Sequence, residues 1–287
     1  MNVETVFIVI AVHNRKESTK SFLNCLRQQI CSGFKAVVVD DGSTDGTQEM
    51  LEQEFPEVVC LKGNGYLWWT GATNLGVQYA LAQGAELIVT LNNDVVIKED
   101  YIQKLVEAHQ LHPKALIGSL NLTQGEPPRL LYSGIISHNP WTAKYVKRGR
   151  LLEPYGGEFN GLMPTYSLPG RGVLISRAVF DKIGLFDEKH LRHYAADYDF
   201  SLRAAEAGFE LLVNMDNPVF SPYEPERAGG KKQSASAFIK SFFSFRSSNY
   251  LPVSLRYNFR HHPHKWYFPV FALLDIGRKI ISFKRAK

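Results

Sequence analysis

An unbroken apolar run from Val6 to Val12 gives way to a different period between Ser18 and Ile30, where apolar residues recur at helical spacing. The alternation then repeats. Phe34–Val39, Val58–Leu61 and Leu87–Leu91 read as short buried strands, and Thr44–Phe55, Thr70–Gln83 and Glu99–His109 as the helices that follow them. Segments apolar at every position belong to strands covered on both faces. Strand and helix alternating through short connections build a mostly parallel central sheet with helices on both faces. The pattern therefore predicts an α/β fold, whose ligands sit beyond the carboxyl ends of its strands.

Three of these strands end abruptly in polar residues: "HNR" after Val12, "DDGSTDGT" after Val39 and "NND" after Leu91. Three polar ends in one parallel sheet converge on one crevice, which makes them candidates for a site rather than ordinary loop starts. From Leu116 to Tyr166 the pattern weakens into short strands and loops (Leu130–Ile136, Lys144–Lys147), the kind of long connection that carries binding function. Order returns with "GVLISRAVFDKIGLFDE", a strand and a helix, then "DYDFSLRAAEAG", a helix closed by Gly208, and "FELLVNMDNPVF", a closing strand pair. The economical division is one domain over residues 1–225 and an extension over 226–287.

Composition narrows the class. A chain of 287 residues with 45% hydrophobic and 12% aromatic side chains can bury a sizeable core, which excludes a disordered protein. Its three cysteines, Cys25, Cys31 and Cys60, have no metal-ligand spacing and fit a reducing compartment. With no basic leader and no apolar run of membrane-spanning length, the expected location is the cytoplasm. Charge is uneven: residues 226–287 hold 13 Lys/Arg against two acids, leaving 20 basic against 26 acidic side chains before them. The basic segment either meets an anionic partner or is simply solvated.

In order and spacing, "VVVDDGSTDGT", "LNNDV" and "AADYDFSLR" resemble family 2 glycosyltransferases of the GT-A fold, as does the flanking "PGRGVLISRAVFDKIGLFDE". The resemblance covers roughly residues 5–225. Within the family, "NNDV" and "WWTGATNLG" are most similar to bacterial transferases of rhamnose or related sugars. The resemblance implies an inverting transfer of a sugar from a nucleotide-diphosphate donor to a hydroxyl of a glycan or lipid-linked acceptor. It places Asp40 and Asp41 where a carboxylate meets the base, favouring Asp40, the other aspartate serving the turn. His13, Asn14, Asn64, Asn92 and Arg171 complete the expected donor-binding set. Trp68 and Trp69 either stack on a sugar or pack in the core.

Asp94 takes the second acidic position of the family's Asp-x-Asp motif and is the expected ligand of Mg²⁺ or Mn²⁺, which would stabilise the departing diphosphate. Asn92 replaces the first aspartate, and Ser221 stands where a histidine often completes the shell, so a lean metal site is expected, a metal-independent one being the alternative. Asp197 is the expected general base. Asp199 lies about 200° around the helix from it and has a competing use in a salt bridge to Arg203. Ala196 replaces the family's usual glutamate. The basic "HKWYFPVFALLDIGRKIISFKRAK" either lies on an anionic membrane surface or docks on the domain as a helix. No nucleic-acid partner is expected, because acidic strand ends repel phosphate. The contrasting expectation is a non-catalytic nucleotide-sugar-binding relative with a degenerate metal site.

Overall fold

Each central strand is buried on both faces, and the computed structural model shows what covers them. It describes residues 5–222 and 234–285. In chain order the elements are β1 (Val6–Val12), α1 (Lys16–Arg27), β2 (Phe34–Asp40), α2 (Thr47–Glu54), β3 (Val59–Lys62), α3 (Trp68–Ala82), β4 (Leu87–Asn92) and α4 (Tyr101–Leu111). There follow β5 (Ala115–Thr123), β6 (Leu130–Tyr132), β7 (Ile135–Asn139), β8 (Lys144–Lys147), β9 (Leu162–Pro164), β10 (Val173–Ser176), α5 (Arg177–Ile183), α6 (Ala196–Glu206) and β11 (Glu210–Ser221). The C-terminal segment adds α7 (Ala235–Ser241), α8 (Leu251–His261) and α9 (Phe268–Arg285).

The main sheet runs β3-β2-β1-β4-β10-β5-β11-β9, with β6 beside β5, and β7 pairs β8 in a separate hairpin. β1 is parallel to both β2 and β4, while β10 enters antiparallel between β4 and β5. Alternate residues face opposite cores, as a pleat requires. Ile8 and Ile10 join Phe22, Leu51 and Leu105 under α1, α2 and α4. Phe7 and Val9 join Val77, Val179 and Phe200 under α3, α5 and α6. The second layer sits close: a Cβ at Gly76 would lie 2.5 Å from Val9 Cγ1, so only glycine lets α3 rest on β1 at this depth.

Two segments depart from the sequence pattern. β5 is a nine-residue, fully buried strand where only weak structure was expected. Its polar residues are satisfied internally: Ser119 Oγ meets Tyr101 Oη at 2.7 Å, and Asn121 donates to the Ser119 carbonyl. The expected closing strand pair is one strand, β11, which keeps pairing with β5 across a register shift between Asn214 and Val219. That irregularity accommodates Pro218, which cannot donate to a ladder.

The basic C-terminal segment folds as helices against the rest of the chain. Phe271 is buried, His262 Nε2 lies 3.0 Å from the Pro140 carbonyl, and Tyr267 Oη donates to the Trp141 carbonyl. The expected boundary near residue 225 lies outside the described residues.

Candidate active site

The three polar strand ends are neighbours. Val12 pairs with Asp40 and Ala11 with Asn92, so β2, β1 and β4 deliver their last residues side by side. Asp41 latches the next loop across this edge: Oδ1 accepts the Gly65 N–H at 2.8 Å and Oδ2 the Trp68 N–H at 2.9 Å. Beneath that latch is a cavity of about 300 Å³ lined by His13, Arg15, Asp41, Trp69, Asn92 and Asp94, among others. His13 is held by a 2.7 Å bond between Nδ1 and the Asp41 carbonyl. Asp40 faces the other way; its buried carboxylate accepts the Ser43 N–H at 3.0 Å and lines neither this cavity nor its neighbour. Asn14 and Asn64 also build turns: Asn14 Oδ1 accepts the Thr44 N–H, and Asn64 Oδ1 accepts the Tyr66 N–H.

Asp94 carries one committed oxygen and one free one. Oδ2 accepts from Arg15 Nη1 at 2.8 Å, whereas Oδ1 is buried without a hydrogen-bond partner. A buried carboxylate oxygen left unpaired is costly unless something cationic meets it. Ser221 Oγ, also buried and unpartnered, ends β11 beside the Val96–Phe220 bridge, close in register to Asp94. Among the described residues no group of three His, Cys, Asp or Glu side chains gathers around an ion position. These residues fit a divalent ion held by few protein ligands, with oxygens of a bound diphosphate supplying the rest.

A second cavity of about 620 Å³ adjoins the first, and Trp69, Asn92 and His193 line both. Asp197 stands on its wall in the first turn of α6, which the left-handed Ala195 (φ 66°) sets in place. Its Oδ2 accepts the Gly170 N–H at 2.8 Å and its Oδ1 the Tyr198 N–H at 2.9 Å. Surrounding protein desolvates the carboxylate and pushes its pKa up, against the pull of those N–H groups and of the Arg171 charge. Gly170 is where the backbone comes closest: a Cβ there would meet the Trp69 ring at 2.6 Å and Asp197 Cβ at 3.2 Å. Arg171 lines the same cavity, its Nε buried without a partner. Trp69 packs edge-on to Phe186 and walls both cavities, whereas Trp68 lines only the first of them and packs edge-on to Phe245.

Asp199 has a different occupation. Fully buried, it bonds Arg203 Nε at 2.9 Å, Arg260 Nη1 at 2.7 Å and His261 Nε2 at 2.9 Å. Burial alone would raise its pKa, but hydrogen bonds from His261, Arg203 and Arg260 prevail and hold it at about 2. A depressed carboxylate stabilises the fold above its unfolded pKa, near 4, and loses that contribution as pH falls through about 2. Asp199→Asn is therefore expected to cost roughly 2 kcal/mol at pH 7 and almost nothing near pH 2. Chemical denaturation of both proteins across that range measures it.

Arg15 was in plain view in "HNR", but its partner lies 79 residues away and no local pattern announces the pair. Tyr257, from α8, lines the Asp197 cavity and had no signal at all.

Residues 7–183 match the family described as Glycosyl transferase family 2. The chain belongs to that family. The N-acetylglucosaminyl-diphospho-decaprenol L-rhamnosyltransferase of Mycobacterium tuberculosis is 28% identical over 285 residues, covering 88% of each chain. An uncharacterized Bacillus subtilis glycosyltransferase, YfnE, is 24% identical across 73% of this chain, which spans 62% of that relative's length. A crystal structure of GalNAc-T7 with UDP, GalNAc and Mn²⁺ superposes with a TM-score of 0.63 at 14% identity, over 93% of this chain and 56% of the other. This family 2 glycosyltransferase thus has the GT-A fold. The matched segment ends before α6, so the assignment of Asp197 rests on the geometry above and on the sequence motif.

Proposed function

We propose that this glycosyltransferase moves a deoxyhexose or hexose, with inversion, from a nucleotide-diphosphate donor to a hydroxyl of a lipid-linked glycan. One observation carries the reading: Asp94, with a free buried oxygen, and Asp197, a desolvated carboxylate, line adjoining cavities that share Trp69, Asn92 and His193. The donor occupies the smaller cavity, its base toward the Asp41 edge and its diphosphate toward Asp94 and Arg15. A divalent Mg²⁺ or Mn²⁺ held through Asp94 supplies charge to the departing diphosphate. Asp197 removes the proton of the acceptor hydroxyl from the opposite side, and its raised pKa makes it a stronger base than an exposed carboxylate. The Gly170 and Tyr198 N–H groups fix its orientation. The relative's printed acceptor, a diphospho-decaprenol glycan, supports a lipid-linked substrate.

A panel of nucleotide sugars, scored for donor hydrolysis and for metal-dependent thermal stabilisation, tests the reading. A deoxyhexose or hexose donor is expected to score in both; no donor scoring in either overturns it.

No helix among the described residues is long and apolar enough to cross a membrane. A peripheral contact with the membrane surface is supported by exposed Phe243, Trp266 and Leu273, each more than 70% exposed on the C-terminal segment. In liposome flotation the protein is expected to rise with anionic vesicles, and Trp266→Ser/Leu273→Ser to stay at the bottom.

A further inference from the structure

A third cavity, of about 530 Å³, lies between the loop that precedes α6 and the segment leading into α8. His193 lines all three cavities, and Tyr194 is common to this one and the Asp197 cavity. The third cavity is lined by the cations Lys189, Arg192 and Arg256 together with the largely apolar Phe245, Tyr250 and Val253. Among the described residues none that lines it is a carboxylate. Nearby cations are spoken for: Arg260 bonds Asp187 and Asp199, and His190 bonds Asp187. Among the described residues, Lys189, Arg192 and Arg256 form no ion pair. Arg246, next in sequence to the lining Phe245, lies over the Trp68 and Phe245 rings at 5.5 and 5.9 Å from their centres.

Like charges gathered without counter-ions repel one another, and a bound dianion relieves that repulsion. Arginine suits phosphate in particular, since its planar fork donates two parallel hydrogen bonds. The apolar side chains in the same lining ask for a phosphate that carries hydrocarbon. All the lining residues lie beyond residues 7–183, the segment matched to the family.

We propose that this cavity binds the diphosphate joining the acceptor sugar to its prenyl chain. The sugar then lies past His193 and Tyr194 in the Asp197 cavity, and the first isoprene units lie against Phe245 and Tyr250. The inference rests on the glycosyl-transfer reading for the sugar's position, but the cavity's ligand is tested without turnover. The donor diphosphate is an unsuitable occupant, since among the described residues the donor cavity with Asp94 and Arg15 shares only His193 with this one.

Isothermal titration of the full chain in EDTA, with farnesyl diphosphate, farnesol and inorganic pyrophosphate as probes, decides the matter. Farnesyl diphosphate is expected to bind and farnesol not to. Arg192→Gln/Arg256→Gln should weaken farnesyl diphosphate at least about tenfold, with circular dichroism and Tm showing that the variant is folded. Lys189→Met, a separate variant, should weaken it in the same direction. Phe245→Ala should lower the affinity for farnesyl diphosphate toward that for pyrophosphate. Absence of binding, or equal affinity in wild type and the charge variants, overturns the site. Pyrophosphate binding as tightly as farnesyl diphosphate overturns its assignment to a lipid. Failure here with donor hydrolysis intact overturns this proposal alone, whereas binding intact with no donor hydrolysed overturns the functional reading alone.

Discussion

Asp197→Asn is expected to bind the nucleotide sugar as wild type does and to lose about 10³-fold in turnover with the acceptor. The amide has nearly the same shape and still accepts one of the two N–H bonds from Gly170 and Tyr198. It cannot take the acceptor's proton, however, and the lost term appears in kcat because the proton moves only in the transition state. Steady-state kinetics with a parallel donor-binding titration separates the two effects. Turnover within tenfold of wild type would mean that another group is the base. Asp199 is a poor substitute, since hydrogen bonds from His261, Arg203 and Arg260 occupy it and hold its pKa at about 2.

The second large effect is expected at Asp94. Asp94→Ala removes the oxygen that is buried and unpaired and releases Arg15 from its 2.8 Å ion pair. The thermal shift that Mn²⁺ produces in the presence of the donor is expected to vanish, and activity to fall by about 10² or more. Arg15, no longer neutralised, keeps some affinity for the nucleotide diphosphate in EDTA, so binding should weaken less than activity does. A Mn²⁺-dependent shift that survives the substitution would place the ion elsewhere.

Strands buried on both faces were the most legible part of the chain. β1, β2 and β4 are apolar at nearly every position because helices cover both sides, and their polar ends marked the crevice. β5 hid itself because Gly118, Ser119 and Asn121 interrupt its apolar pattern, and the bonds that make those residues tolerable in a core come from Tyr101 and from the strand itself. Adjacent aspartates at a strand end point to opposite faces. The family resemblance favoured Asp40 over Asp41, whereas the hydrogen bonds of Gly65 and Trp68 put Asp41 at the cavity. The same limit hid the role of the basic segment, whose Arg260 and His261 find partners more than 50 residues upstream.

Those partners bear on the exchange of parts between relatives. Arg260 and His261 bond Asp199, two positions along the same helix from Asp197. A chimera that borrows another enzyme's C-terminus to change acceptor preference also inherits, or forfeits, the electrostatic anchor of the helix that carries Asp197. Grafts of this kind have to carry residues 187, 199 and 260–261 as a set.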